Sequence, residues 1–182
     1  MWNDGHFGPI TGYDKKVKWC DSTLANCLGV AIGLAISGKS KNVVVNIGDG
    51  ALQEGTILEA ASFCGRCKEM LKSRIVLAVD CNGWQCISET KMPPEQIKEI
   101  FSGFGWKCMI FDGHSAEELS GLKTIAEDVD ERIICLIFKT VKGKGVKFIE
   151  DDPLGWHYRK LDSDMLLKAV ECLKKEDNEI GD

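Results

Sequence analysis

Two kinds of apolar run alternate along this chain. Residues 43–47, VVVNI, and 75–80, IVLAVD, are short, nearly continuous and rich in Val and Ile. Such runs predict strands buried on both faces, as in a parallel sheet covered by helices. WKCMIF at 106–111 and RIICLIFKT at 132–140 repeat the signature and predict two more strands. Longer segments with helical spacing lie between them. STLANCLGVAIGLAISG at 22–38 predicts a small-residue helix, with Ser22 as its cap and Gly38 as its stop. Residues 52–72 place Ile57, Leu58, Ala61, Phe63 and Met70 near a 3.6 period. Pro94 can open a helix over EQIKEIFSGF. Ser115 and Glu118, three apart, start SAEELSGLKTIAEDV as a capping box would. A terminal helix is expected over 163–175 with Ser163 as cap, and the tail EDNEIGD is expected to fray. The alternation predicts a single α/β domain over 1–182: a doubly wound, mostly parallel sheet of four or five strands with helices on both faces.

Composition narrows the function classes. The hydrophobic fraction of 44% and charged fraction of 28% are those of an ordinary globular domain. A net charge of −5 argues against nucleic acid and anionic membrane as partners. No apolar run approaches the ~20 residues that span a bilayer, and the start, MWNDGHFGPITG, does not read as a signal peptide. Nine cysteines, an odd number, several inside apolar segments, favour reduced buried thiols and a cytoplasmic setting. Cys64-Gly65-Arg66-Cys67 has no second pair and reads as buried thiols rather than a metal site.

The chemistry concentrates at two strand ends. The first strand runs into Gly48-Asp49-Gly50 and the second delivers Asn82, with 31 residues between Gly50 and Asn82. That separation leaves room for one helix and one returning strand, which brings Asp49 and Asn82 to neighbouring strand ends. Ligands of open α/β sheets bind beyond such ends. A carboxylate, an amide oxygen and a nearby backbone carbonyl can hold a hard divalent cation, and the glycines let a diphosphate approach the backbone.

GDGALQEG followed by VDCNGWQ resembles the thiamine-diphosphate motif of transketolases. DGHS at 112–115, KTVKGKGV at 139–146 and GWHYRKL at 155–161 match further stations of that family in order. The likeness runs from about Gly5 to Leu161 and is greatest to the N-terminal, diphosphate-binding subunit of split transketolases. It implies thiamine diphosphate and magnesium as cofactors, with Asp49, Asn82 and the Trp84 carbonyl as metal ligands. Gly48 and Gly50 match residues whose backbone lies against the diphosphate. Leu24 stands where the family has a leucine near the aminopyrimidine. Lys142 and His157 match a basic residue and a histidine near the cofactor and substrate. Glu54 matches an acidic residue that couples two active sites across a dimer interface, and His6 aligns with an active-site histidine. His157 also admits a packing role within its Trp-His-Tyr cluster. His114 reads as a turn residue.

The implied reaction is transfer of a two-carbon ketol unit between sugars or sugar phosphates, a ketose and an aldose. Two departures qualify it. The family's GSLGQG-type loop is here Ser22-Thr23-Leu24-Ala25-Asn26-Cys27, without its glycines. That admits a specialised acyloin or deoxyketose synthesis, or a regulatory subunit. The pyrimidine-binding domain, whose glutamate protonates the aminopyrimidine, is expected on a partner chain in an α2β2 assembly.

Overall fold

In a computed structural model the described residues are 23–122 and 131–180, with side chains described to 174. Four parallel strands make one sheet: β1 (Asn42–Gly48), β2 (Arg74–Cys81), β3 (Lys107–Asp112) and β4 (Ile133–Lys139), in the order β1-β2-β4-β3. The helices are α1 (Cys27–Ser37), α2 (Gly55–Arg66), α3 (Pro94–Gly103), α4 (Ala116–Ser120), α5 (Lys147–Glu150) and α6 (Ser163–Ile180), with short 3₁₀ turns at Asp49–Gln53, Lys68–Met70 and Gly155–His157.

Side-chain alternation divides the sheet into two faces. Val45, Ile47, Leu77, Val79, Cys135 and Ile137 form one core with Leu28 of α1, Ile57 of α2 and Phe101 of α3. The alternate positions Val76, Ile134 and Leu136 form a smaller cluster with Met109, Phe111 and Leu122 on the other face. Helices therefore lie on both faces, but the second face of β1 is open, with Val44 69% exposed and Asn46 exposed, so VVVNI is not buried on both sides as its apolar run predicts. Trp106 is buried at the entrance to β3, edge-on to Phe101 at 5.7 Å, with its indole N–H donating to Ala61 O.

Element ends differ from expectation where side chains compete for the caps. α1 begins at Cys27 with Asn26 before it and no side-chain cap; Ser22 lies outside the described residues. Gly38 does stop α1, in the left-handed region at φ 71°. The segment 52–72 divides into a 3₁₀ turn, α2 and a second 3₁₀ turn. Ser115 Oγ accepts from Glu118 N–H, but the Glu118 carboxylate turns to Asp112 N–H and leaves the capping box half made. The cap of α6 is Asp162, whose Oδ1 accepts from Met165 N–H, rather than Ser163. The backbone of α6 continues to Ile180, through most of the tail expected to fray. Among the described residues no helix is long and apolar enough to cross a membrane.

Candidate functional site

Strand register brings the site together. Gly48 pairs with Asp80, and Cys81 with Lys139, so the segments after β1, β2 and β4 emerge side by side at the carboxyl edge. Asp49, Asn82 and Lys142 each follow one of these ends. Two clefts open along this edge. One of about 560 Å³ is lined by Asn82, Gly83, Trp84, Thr90 and Thr140; the other, about 580 Å³, lies at the ends of β3 and β4. Asp49 lines neither cleft.

Asp49 is wholly buried. Its Oδ2 accepts from Gly83 N–H at 2.7 Å and from Thr90 Oγ1 at 2.9 Å. Its Oδ1 is buried with no hydrogen-bond partner among the described residues. A buried anionic oxygen without a donor is costly unless something else meets it. Burial pushes the Asp49 carboxyl above its ordinary value, and the negative charge of Asp80 adds to the rise; Thr90, Gly83 and Gly50 pull it down without cancelling it. The charged form is thus disfavoured in the fold. Asp49's contribution to stability falls as pH rises through its folded pKa, a penalty that a bound cation would remove.

Gly83 makes the crossing possible. At φ +80° it occupies backbone space that favours glycine, and its N–H reaches back to Asp49. Asn82 Oδ1 accepts from Trp84 N–H at 2.9 Å, and Asn82 Nδ2 donates to Asp80 Oδ2 at 3.0 Å. Trp84 bridges Glu89, and the bonds of that bridge run through its neighbours, Gly83 O to Thr90 and Gln85 N to Ser88. The Trp84 carbonyl stays outside that ladder.

The two motif glycines serve different ends. Gly48 has ordinary extended backbone, φ −83° and ψ 158°, and a Cβ built on it meets nothing within 4 Å. Among the described residues neither conformation nor packing requires glycine there, and its missing side chain leaves open space beside Asp49. A Cβ on Gly50 would lie 2.9 Å from Gln85 Cβ, so this glycine seats the loop that follows β2. The chemistry of the orphaned oxygen, the open flank of Gly48 and the amide oxygen on the loop tied to Asp49 fits a hard cation carrying a diphosphate.

Lys142 and His157 meet at 2.6 Å, Nζ to Nδ1, and the His157 ring sits edge-on to Tyr158 at 4.8 Å. Burial lowers the Lys142 pKa, opposed by the charges of Asp49, Asp80 and Cys86. Partial burial and then the Lys142 cation lower the His157 pKa. A lysine can donate to Nδ1 only while the imidazole is neutral. A histidine depressed in this way keeps the contact above the unfolded pKa of about 6.5 and loses it as pH falls through the folded value. A proton NMR titration of His157 is expected to give a midpoint below 6.5, and Lys142→Met to raise it. A wild-type midpoint at or above 6.5 would contradict the contact.

The other residues singled out by motif likeness make no side-chain hydrogen bond to this cluster among the described residues. Leu24, 55% exposed, sits on the loop before α1, and Glu54 is exposed at the start of α2. His6 lies outside the described residues. His114 holds a turn, its Nε2 accepting from Val141 N–H at 2.8 Å. Cys64 is fully buried and its thiol is pushed up to about 12 by burial, as expected of an inert core cysteine. Sequence reasoning missed Thr90, a buried donor to Asp49 far outside any motif, and Asp80 and Thr140, whose side chains meet. In the glycine-free loop Ala25 sits at φ 70°, where the GSLGQG pattern places a glycine. The left-handed path persists with an alanine in it, at a cost of about 1–2 kcal/mol.

A family model described as "Transketolase, thiamine diphosphate binding domain" matches residues 33–164, which include Asp49, Asn82, Lys142 and His157. The chain belongs to the transketolase family. It is 32% identical over 177 residues to a transketolase of Pongo abelii, covering 92% of this chain and 26% of that protein. It is 30% identical over 167 residues to the 6-deoxy-6-sulfo-D-fructose transketolase subunit SqwG of Clostridium sp. (strain MSTE9), covering 91% of this chain and 59% of the subunit. The chain thus spans about a quarter of the transketolase and over half of the subunit. Among solved structures, a Campylobacter jejuni transketolase superposes with a TM-score of 0.62 at 18% identity, over 90% of this chain and 31% of its own. A Pichia stipitis transketolase mutant gives 0.51 at 17% identity, over 87% and 29%. At those identities the likeness speaks for the fold alone, the same α/β sheet with helices on both sides.

Proposed function

We propose that this chain is the thiamine-diphosphate- and magnesium-binding subunit of a transketolase-like enzyme that transfers a two-carbon ketol unit from a ketose to an aldose. The observation that carries this reading is the Asp49 carboxylate, buried at the end of β1 with one oxygen tied to the Asn82 loop and the other without a partner among the described residues. Asp49 Oδ1, Asn82 Oδ1 and the Trp84 carbonyl would hold the magnesium ion, and Gly48 would leave room for the diphosphate. When bound, thiamine diphosphate supplies an electron sink for the cleavage and formation of a carbon–carbon bond.

The chain's own residues bind and orient. Lys142 offers a cation toward the anionic end of the site. His157, neutral with Nδ1 accepting from Lys142, carries its proton on Nε2 and can donate a hydrogen bond from there to a substrate oxygen. Glu54 on the exposed start of α2 is proposed to lie in a subunit interface, and Leu24 and His6 to approach the cofactor and substrate. A second chain carrying the pyrimidine-binding domain would complete each site in an α2β2 assembly.

The loop at 22–27 supports a second reading. Leu24, Thr23 and Asn26 are exposed on it, so side chains stand where a glycine loop would present bare backbone. That favours a specialised donor, as in acyloin or deoxyketose synthesis. A donor screen of the reconstituted complex separates the two. The first reading expects aldose-dependent consumption of a ketose without release of carbon dioxide. Carbon dioxide evolved from pyruvate would replace it with the second, and turnover of neither donor would sink both.

A further inference from the structure

Asn82 is useful as a ligand only if its oxygen, and not its nitrogen, faces the ion. The structure shows what decides this. Asp80, half-buried near the end of β2, accepts from Asn82 Nδ2 through Oδ2 at 3.0 Å. Its other oxygen, Oδ1, accepts from the hydroxyl of Thr140 just beyond β4. Thr140 is itself fixed by its backbone N–H, which donates to Cys81 O at 3.2 Å. On the opposite edge, Asn82 Oδ1 accepts from Trp84 N–H. Only one orientation of the amide satisfies both neighbours. A flipped amide would set its NH₂ against the Trp84 N–H and its oxygen against a carboxylate.

We propose that Asp80 and Thr140 are positioning residues, a relay across the ends of β2 and β4 that locks the Asn82 amide with its oxygen toward the cation. Each Asp80 oxygen accepts one bond within this relay, which gives Asp80 its hold on Asn82. Its negative charge also lies close enough to raise the Asp49 carboxyl and to draw on Lys142. Residues that orient metal ligands in this way typically change metal affinity by 10–100-fold when removed.

The inference rests on the proposed cation–diphosphate reading, and the test separates the two. Calorimetry of the complex with the pyrimidine-domain chain, titrating magnesium at fixed thiamine diphosphate, reads the half-saturating magnesium concentration. Asp80→Ala is expected to raise it by about tenfold or more. Thr140→Val, which keeps shape and loses the hydroxyl, is expected to raise it by about two- to tenfold, and Thr140→Ser to restore it. A second readout needs no cofactor: the Asn82 side-chain amide protons of the metal-free chain should be protected from exchange in the wild type and lose that protection in Asp80→Ala. A merely structural role would lower the melting temperature and leave the magnesium requirement unmoved. Wild-type complex with no magnesium-dependent uptake overturns both the functional reading and this inference. Normal wild-type uptake with an unchanged requirement in Asp80→Ala and Thr140→Val overturns this inference alone.

Discussion

Replacing Asp49 with Ala is expected to abolish magnesium-dependent uptake of thiamine diphosphate, a loss of about a hundredfold or more in apparent affinity. Of the three proposed ligands, Asp49 alone carries a formal charge, and its free oxygen is the donor the fold has left unmet. Ala also strips acceptors from Gly83 N–H and Thr90 Oγ1, which costs about 1–3 kcal/mol for each group left buried and unbonded. Asp49→Asn controls for that loss, because its amide oxygen can still accept both bonds while the anion is gone. Wild-type complex at a ligand concentration of about 100 times Kd should gain roughly 2.7 kcal/mol of stability. Neither variant should gain more than about 0.4 kcal/mol at the same concentration. An Asp49→Asn complex whose melting point rises with ligand as far as the wild type's would remove Asp49 from the site.

The second large effect concerns the partner. The proposed grip on a cation and a diphosphate lies among the described residues, and the family match is to a thiamine diphosphate binding domain. If the pyrimidine half of the cofactor is held by another chain, the isolated protein lacks both that grip and the acid that protonates the ring. A positioned proton donor is worth about 10²–10⁴-fold in rate. The purified chain should therefore turn over at least that much more slowly than the reconstituted complex, and bind cofactor weakly. Assay of ketol transfer before and after adding a pyrimidine-domain chain measures it. Full activity from the chain alone would refute the split assembly.

The sheet was legible because buried parallel strands leave long apolar runs, and VVVNI, IVLAVD and RIICLIFKT each became a strand within two residues of its expected ends. The placement of Asp49 and Asn82 just beyond neighbouring strand ends was legible for a related reason, since each follows such a run. The caps were less so. Glu118 and Ser163 had the right spacing, but Asp112 N–H and Asp162 offered competing partners that only the folded chain brings near. Thr90 and Thr140 were invisible as site residues. Their roles depend on where two loops return in space, 41 and 60 residues away from their partners, and a threonine carries no signal of its own. Lys142 and His157 came from motif likeness, and their direct contact was not foreseeable from either segment.

The two glycines flanking Asp49 carry unequal information. Gly50 is pressed by Gln85 from inside the molecule, while none of the described residues presses on Gly48. A descendant that abandoned its vitamin would still be held to glycine at position 50 by its own packing. Position 48 would be released, and alanine or serine could drift in without structural penalty. On the proposed reading, the first letter of this signature records only what the protein carries, while the third also records how it is built.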